Sequence, residues 1–221
     1  MSIRVGLYDF FAYTLPGIFY LALLVFWLNT FGLLAVDISI PNGFSLVVLF
    51  VIVAAGYITG LLVDPFAYRW MRLFHIRNRD AAKAAFDEFT QQYSWVDLKY
   101  AAKDWGILLR AVKSESLEAA ADVEQHNVAF IMLRNVSFVF ILSMISSVIY
   151  YFAVSSNLWA LILGPVFLVL AFVAMRRSRM RRHWFYMAVY EAFTAHFLLA
   201  AWAGQSKVGR KKLPRKRHQE K

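Results

Sequence analysis

The sequence predicts an all-α membrane protein, with four transmembrane helices joined to a helical cytoplasmic bundle. Composition is the first reason: 60% of the 221 residues are hydrophobic and only 17% are charged, whereas a soluble domain carries about 25% charged residues. The second reason is that the charges leave long gaps, and a helix crosses a bilayer with roughly 20 apolar residues. A lipid environment therefore explains this composition better than a soluble core does.

Residues 1–63 are predicted to form an N-terminal transmembrane hairpin. No charged residue lies between Asp9 and Asp37, or between Asp37 and Asp64. Each gap is long enough for one span, and we place the spans near residues 13–36 and 44–63. The cluster Pro41-Asn42-Gly43 predicts the turn between them. The first apolar run is too long for a cleaved signal peptide, and no small-residue cleavage site follows it.

Residues 131–175 are predicted to form a second transmembrane hairpin. They include an uncharged stretch from Asn135 to Met175, which as one helix would be about 60 Å long, twice the hydrocarbon thickness. Ser155-Ser156-Asn157 is expected to divide it into spans near residues 135–154 and 158–175. Gly164-Pro165 predicts a kink in the fourth span.

Residues 64–130, between the hairpins, are predicted to form a cytoplasmic helical insert. Asp80 can cap a first helix that has one apolar face. Ser94–Asp97 has the pattern of a capping box and predicts a second helix, with Trp105 and Val112 on its apolar stripe. Ser114 is the predicted cap of a third helix, which continues into the third span because no breaker intervenes.

Residues 176–206 are predicted to extend the fourth span as a basic and then apolar helix, followed by a basic disordered tail at 207–221. The apolar part, Trp184–Ala203, could be a fifth span, an interfacial helix or a buried helix of the cytoplasmic bundle. A fifth span would carry the basic tail to the outside, so the sequence favours the bundle.

The distribution of charge predicts the orientation. The net charge is +10, and 13 of the 24 Lys and Arg residues follow Met175. The short loops Asp37–Gly43 and Ser155–Asn157 contain neither Lys nor Arg. By the positive-inside rule, we expect a multi-pass protein of the bacterial inner membrane with both termini in the cytoplasm.

Several chemistries have no support in the sequence. The chain has no cysteine, which excludes disulfides and thiolate metal sites. No Asp, Glu, Lys or His lies within the predicted spans, which disfavours ion-coupled transport. Motifs of zinc proteases, serine hydrolases and phosphate-binding loops are absent. We therefore expect no catalytic residue, no metal ligand, no cofactor and no enzymatic activity.

Three groups of residues are candidate functional sites. Gly56 and Gly60 give the second span a small-residue face for helix packing, within one subunit or between subunits. Hydroxyl groups on one face of the third span could line a pore in an oligomer, or bond their own backbone carbonyls; they are Ser143, Ser146, Ser147 and Tyr150. Basic residues could bind anionic lipid headgroups, or alternatively a nucleotide, nucleic acid or protein partner; they are Arg176, Arg177, Arg179, Arg181, Arg182, Lys211, Lys212, Arg215, Lys216 and Arg217. Arg134 is interpreted as a snorkelling anchor.

The opening Asp9-Phe10-Phe11-x-Tyr13-x-x-Pro16-Gly17 precedes two spans, a helical insert and a second span pair that continues into a basic helix. This arrangement resembles the small four-helix membrane proteins of bacterial anti-phage defence operons. That group includes membrane effectors of nucleotide-signalling systems and the membrane subunit of the Kiwa system. The resemblance implies an oligomer that perturbs the inner membrane, or senses its disturbance, during infection. It carries over no functional residue.

Two hypotheses about function follow. The first is a non-enzymatic, oligomeric membrane effector whose cytoplasmic bundle receives a signal and gates or perturbs the membrane. The second is a membrane scaffold or sensor that recruits a cytoplasmic partner protein, for example one that binds DNA. Because the third and fourth helices run into the cytoplasmic bundle without a breaker, we favour the effector.

Overall fold

The computed structural model describes residues 3–33, 46–73, 80–94 and 100–198, with side chains described from residue 10 to residue 196 of these ranges. A 3-10 turn precedes the fourth helix and a π-helical turn follows the sixth. The helices are α1 (Ile3–Thr30), α2 (Leu46–Leu73), α3 (Ala81–Gln92), α4 (Trp105–Glu115), α5 (Leu117–Ala153) and α6 (Leu158–Phe193). No strand occurs in these ranges. Helices α1, α2, α5 and α6 are each long and apolar enough to cross a membrane, so the predicted helical fold with four candidate spans is confirmed at that level.

In one half of the molecule, which we call the apolar half, both the buried and the exposed side chains are mostly hydrophobic. In this apolar half, α1 packs against α2 and α5, and α5 packs along most of α6. The outward side chains are also hydrophobic: Phe50 of α2 is 72% exposed and Phe172 of α6 is 68% exposed. Such a surface is expected where lipid tails replace water as the solvent.

The other half is a small helical bundle, formed by α3, α4, the first part of α5 and the last part of α6. Its core contains Phe89 of α3, Leu108 of α4 and Val123 of α5. From α6 it contains Phe185, Tyr186, Met187, Val189 and Tyr190. Residues 185–193 of the apolar segment Trp184–Ala203 thus pack in this bundle; residues 199–203 lie outside the described ranges.

Helix caps explain where several elements begin. The side chain of Asp80 accepts a hydrogen bond from the backbone N–H of Ala82 at 3.0 Å, which confirms the predicted cap of α3. The predicted cap at Ser114 is wrong, because its hydroxyl donates back to the carbonyl of Ala111 at the end of α4. Ser116 caps α5 instead, by accepting from the N–H of Ala119.

Helix ends differ from the predicted span limits. Helix α1 ends at Thr30, where the N–H of Gly32 bonds to the carbonyl of Asn29 and the N–H of Leu33 bonds to that of Leu28. Gly32 has a φ of 70°, and this pair of bonds is the glycine-based stop described for many helices.

The limits of α2 and α4 also differ from the prediction. Helix α2 continues beyond Val63 through Pro65 to Leu73, so a charged residue does not end it. Helix α4 begins only at Trp105, later than the predicted capping box, of which residues 95–97 lie outside the described ranges.

Candidate functional site at the helix junction

A buried polar cluster lies where the apolar half meets the bundle, and we call this cluster the junction. Its members are Tyr20 of α1, Asp64 of α2, and Arg134 and Asn135 of α5. Asp64 forms an ion pair with Arg134. It also accepts a hydrogen bond from the amide Nδ2 of Asn135 at 3.1 Å. The Tyr20 hydroxyl donates to the backbone carbonyl of Asn135 at 2.9 Å. Helices α1, α2 and α5 thus meet in one polar cluster.

Burial makes this cluster energetically important. Arg134 is 6% exposed and Asn135 is fully buried. A buried charge needs a partner of opposite sign, because desolvation costs several kcal/mol per ion. Arg134 was interpreted from the sequence as a snorkelling anchor; the structure contradicts this, because its guanidinium points into the protein and is held by Asp64.

Aromatic rings extend the junction towards the bundle. The Arg134 guanidinium lies 5.3 Å from the ring centroid of Phe130 and 5.5 Å from that of Tyr68. The guanidinium of Arg182, on α6, lies 5.5 Å from the ring centroid of Phe130 and 6.0 Å from that of Tyr186. Phe130 therefore has an arginine from each long helix on it, and each contact of this type is worth about 0.5–2 kcal/mol.

Two polar atoms of the junction remain without a partner among the described residues: the Nε of Arg134 and the Oδ1 of Asn135. A buried polar atom without a partner costs about 1–3 kcal/mol. The cluster thus has an ion pair and two hydrogen bonds, but two of its polar atoms make no hydrogen bond to the described residues. Such atoms could form new hydrogen bonds if the present contacts were exchanged for others.

Two serine hydroxyls join α5 to α6 on either side of the junction. Ser137 of α5 donates to the carbonyl of Ala171 at 2.9 Å, and Ser178 of α6 donates to the carbonyl of Phe130 at 3.1 Å. Both hydroxyl groups are buried. These bonds hold the two long helices in one register where they pass from the apolar half into the bundle.

The predicted hydroxyl face of α5 lines a cavity of 380 Å³ at the end of the apolar half remote from the bundle. Ser143, Ser146, Ser147 and Tyr150 contribute to its wall, together with residues of α1 and α6. Ser146 also accepts a hydrogen bond from the indole of Trp27 at 2.9 Å. Within one chain this is a pocket among three helices.

Gly56 and Gly60 lie where α1 crosses α2. A methyl group on Gly60 would lie 2.1 Å from the carbonyl oxygen of Tyr13, and one on Gly17 would lie 1.7 Å from that of Gly56. The small-residue face is thus used within this chain. The role of Gly17 in this crossing was missed at the sequence level, although Pro16-Gly17 was visible as a feature of the first span.

The predicted basic cluster is divided among several surroundings. Arg176 and Arg177 are exposed. Arg181 approaches His126 of α5, with 3.4 Å between its guanidinium nitrogen and the ring Nδ1, and Arg182 covers Phe130 as described above. The predicted members Lys211, Lys212, Arg215, Lys216 and Arg217 lie outside the described residues.

Tyr190 is the polar centre of the bundle core. Its hydroxyl donates to the carbonyl of Ala102 at 2.9 Å, and burial raises its pKa well above the ordinary value. His183 pairs with Glu88 of α3 at 2.9 Å, and Lys113 of α4 pairs with Glu124 of α5. These contacts attach the short helices to the long ones.

Among the residues that the structure describes, no group of three or more His, Asp or Glu side chains is placed to hold a metal ion. Comparison of the chain with protein-family models, with curated proteins and with solved structures gives no match.

Proposed function

We propose that this chain is a non-enzymatic, oligomeric effector of the bacterial inner membrane, acting in anti-phage defence with both termini in the cytoplasm. Its bundle receives a cytoplasmic signal, and its apolar half gates or perturbs the bilayer. The observation that carries the proposal is the continuity of α5 and α6, which have 37 and 36 residues. Each is about 55 Å long, against a hydrocarbon thickness of about 30 Å.

Continuity supplies the mechanism. A helix that crosses the junction unbroken transmits tilt or rotation from one end to the other. The bonds of Ser137 and Ser178 favour movement of α5 and α6 as one unit. Helices α3 and α4 pack against α5 and α6 in the bundle. A ligand or partner that displaces α3 or α4 would therefore tilt or rotate the bundle ends of α5 and α6, and with them their apolar ends.

Oligomer formation is part of the proposal for a physical reason. The hydroxyl groups of α5 line a pocket among three helices of one chain, and a water-filled path through the bilayer needs several copies around it. The exposed apolar faces of α2 and α6 offer the surface for such assembly, and van der Waals packing between side chains is the driving force between helices in lipid.

Proteoliposome flux measurements test the proposal. The protein is reconstituted in vesicles that contain a self-quenched dye, and extract from phage-infected or uninfected bacteria is added. We expect release only with infected extract. Insertion of Gly-Gly after Arg177 interrupts α6 at the junction and should abolish release, whereas the same insertion after Ser155, between α5 and α6, should preserve it. Absence of release with every extract would remove the effector proposal, and equal release from both insertions would remove lever transmission.

The scaffold alternative has its own supporting observation. Met180 and Trp184, one turn apart on α6, remain 42% and 47% exposed on the bundle, and exposed large apolar side chains are typical of partner contacts. Co-purification from infected cells distinguishes the two functions. Loss of a co-purifying protein on Trp184→Ser, with dye release unchanged, would favour the scaffold over the effector.

A further inference from the structure

An open groove of 600 Å³ lies between the end of α2 and the neighbouring α5, just beyond the junction. Its wall combines two arginines with large apolar side chains: Phe66, Arg69, Trp70, Arg72, Leu73 and Phe138. Neither the hydroxyl face nor the predicted basic clusters include any of these residues. The groove therefore needs an explanation of its own.

Among the described residues, no acidic side chain pairs with the two arginines. Both arginines are exposed. Asp64, the acid nearest to them on α2, is already engaged by Arg134. By contrast, the cations Lys113 and Arg134 each have a carboxylate partner. Guanidinium groups bind phosphate oxygens in a two-pronged geometry, so this pair is suited to an anionic phosphate group.

A small cavity lies beside the groove and shares one lining residue with it. Trp70 also lines this cavity of 70 Å³ between α5 and α6, whose other lining residues are Ser137, Ile141, Leu168, Ala171, Phe172 and Met175. The ring centroid of Trp70 lies 6.4 Å from that of Phe138. A ligand that matches both the arginines and the apolar side chains has an anionic phosphate at one end and a hydrocarbon chain at the other.

We propose that the groove between α2 and α5 binds an anionic phospholipid, with the phosphate on Arg69 and Arg72 and an acyl chain along Phe66, Leu73 and Phe138. A free nucleotide or inorganic phosphate would use the arginines but leave the apolar wall bare, and a neutral lipid would leave the arginines without a counter-charge. The site depends on insertion in a membrane but not on the effector proposal.

Lipid binding to the detergent-purified chain tests this site by native mass spectrometry and by thermal shift. The probes are phosphatidylglycerol, phosphatidylcholine and inorganic phosphate. The variant is Arg69→Gln/Arg72→Gln, and the control of equal charge change is Lys103→Gln/Arg110→Gln, both exposed on the bundle. Phosphatidylglycerol should bind the wild type and the control equally. With about 1 kcal/mol for each basic residue near a lipid surface, binding to the variant should weaken roughly thirtyfold.

Each other outcome has a defined meaning. Equal binding of phosphatidylglycerol and phosphatidylcholine, or equal loss in the control variant, would overturn the site. An equal thermal shift from inorganic phosphate alone would show an anion site without a lipid. If the double variant does not fold, the single variants Arg69→Gln and Arg72→Gln, each expected to lose roughly fivefold, decide the matter by the same measurements.

Discussion

The crossing of α1 and α2 makes a demanding prediction, because two helix backbones touch there without side chains between them. A Cβ added at Gly17 would lie 1.7 Å from a backbone carbonyl oxygen, and one at Gly60 would lie 2.1 Å from another. A carbon atom needs about 3.3 Å from a carbonyl oxygen. The helices would therefore have to separate by about 1.6 Å for Gly17→Ala and about 1.2 Å for Gly60→Ala.

The cost follows from what must move. Overpacking in a tight core costs about 1–3 kcal/mol, and a backbone carbonyl cannot rotate away as a side chain can. We expect about 3 kcal/mol for either substitution. At 2–4 °C per kcal/mol for a chain of this size, the melting temperature should fall by about 6–12 °C. Gly56→Ala should cost less, because its nearest obstacle is a side-chain atom of Ile18.

The assay is thermal unfolding in mild detergent, followed by tryptophan fluorescence, with Gly106→Ala as the matched control. Gly106 lies in α4 with nothing within 4 Å of an added Cβ, so its variant should melt at or slightly above the wild-type temperature. The oligomeric state, measured by light scattering, should not change with Gly17→Ala or Gly60→Ala. Melting of these two variants within about 2 °C of the control would refute the close crossing, and dissociation without loss of helix stability would place the glycines between subunits.

Three further predictions concern the junction and the bundle. Asp64→Asn should destabilise the chain by about 3–5 kcal/mol, because it leaves the buried Arg134 without its partner. Arg134→Gln should cost less, because the side chain of Asp64 that it leaves unpaired is 25% exposed. The double variant should lose less than the sum of the two in a double-mutant cycle of detergent unfolding, and simple additivity would contradict the ion pair. Burial, and secondarily Arg181, lowers the pKa of His126, so below pH 6.5 the unfolded chain binds a proton that the folded chain resists. Melting temperature should therefore fall as pH drops from 7.5 to 5.5, and His126→Gln should fall less; parallel curves would exclude this group. Tyr190→Phe leaves the carbonyl of Ala102 without its donor and should cost about 1–2 kcal/mol, measured by urea unfolding against Tyr151→Phe, on the apolar half, as control.

The presence of four long helices could be predicted because charge is expensive in lipid, and uncharged stretches are visible without any structure. Their ends could not be predicted in the same way. Hydropathy indicates the positions of charged residues along the chain. A helix, by contrast, continues as long as its backbone hydrogen bonds do. Helix α2 thus passes Asp64 and Pro65 without ending. The stop at Gly32 lies inside an apolar run, before Leu33-Leu34-Ala35-Val36, so the distribution of charges does not indicate it.

The junction shows a different limit of sequence reasoning. Asp64 and Arg134 are 70 residues apart, and no local pattern joins them. One clue existed: they are the charges at the inner ends of consecutive predicted spans, so antiparallel packing places them at one depth. Asn135 gave no such clue, since an amide beside an arginine is common at a helix surface. Its burial is a product of packing against α1 and α2.

The polar contacts of the described residues also indicate where relative motion can occur. Helices α5 and α6 are joined by two buried serine–carbonyl bonds at separate levels, and α1 and α2 touch through backbone at their glycines. Polar bonds join these two pairs. Those of the junction are the Asp64–Arg134 ion pair and the hydrogen bonds from Asn135 to Asp64 and from Tyr20 to Asn135. Another, from Trp27 to Ser146, lies farther from the bundle. A rigid shift of one pair against the other would therefore have to break or stretch the Asp64–Arg134 ion pair and the hydrogen bonds from Tyr20 and Trp27. Under the proposed effector function, a signal from the bundle would have to overcome these contacts to move one helix pair against the other.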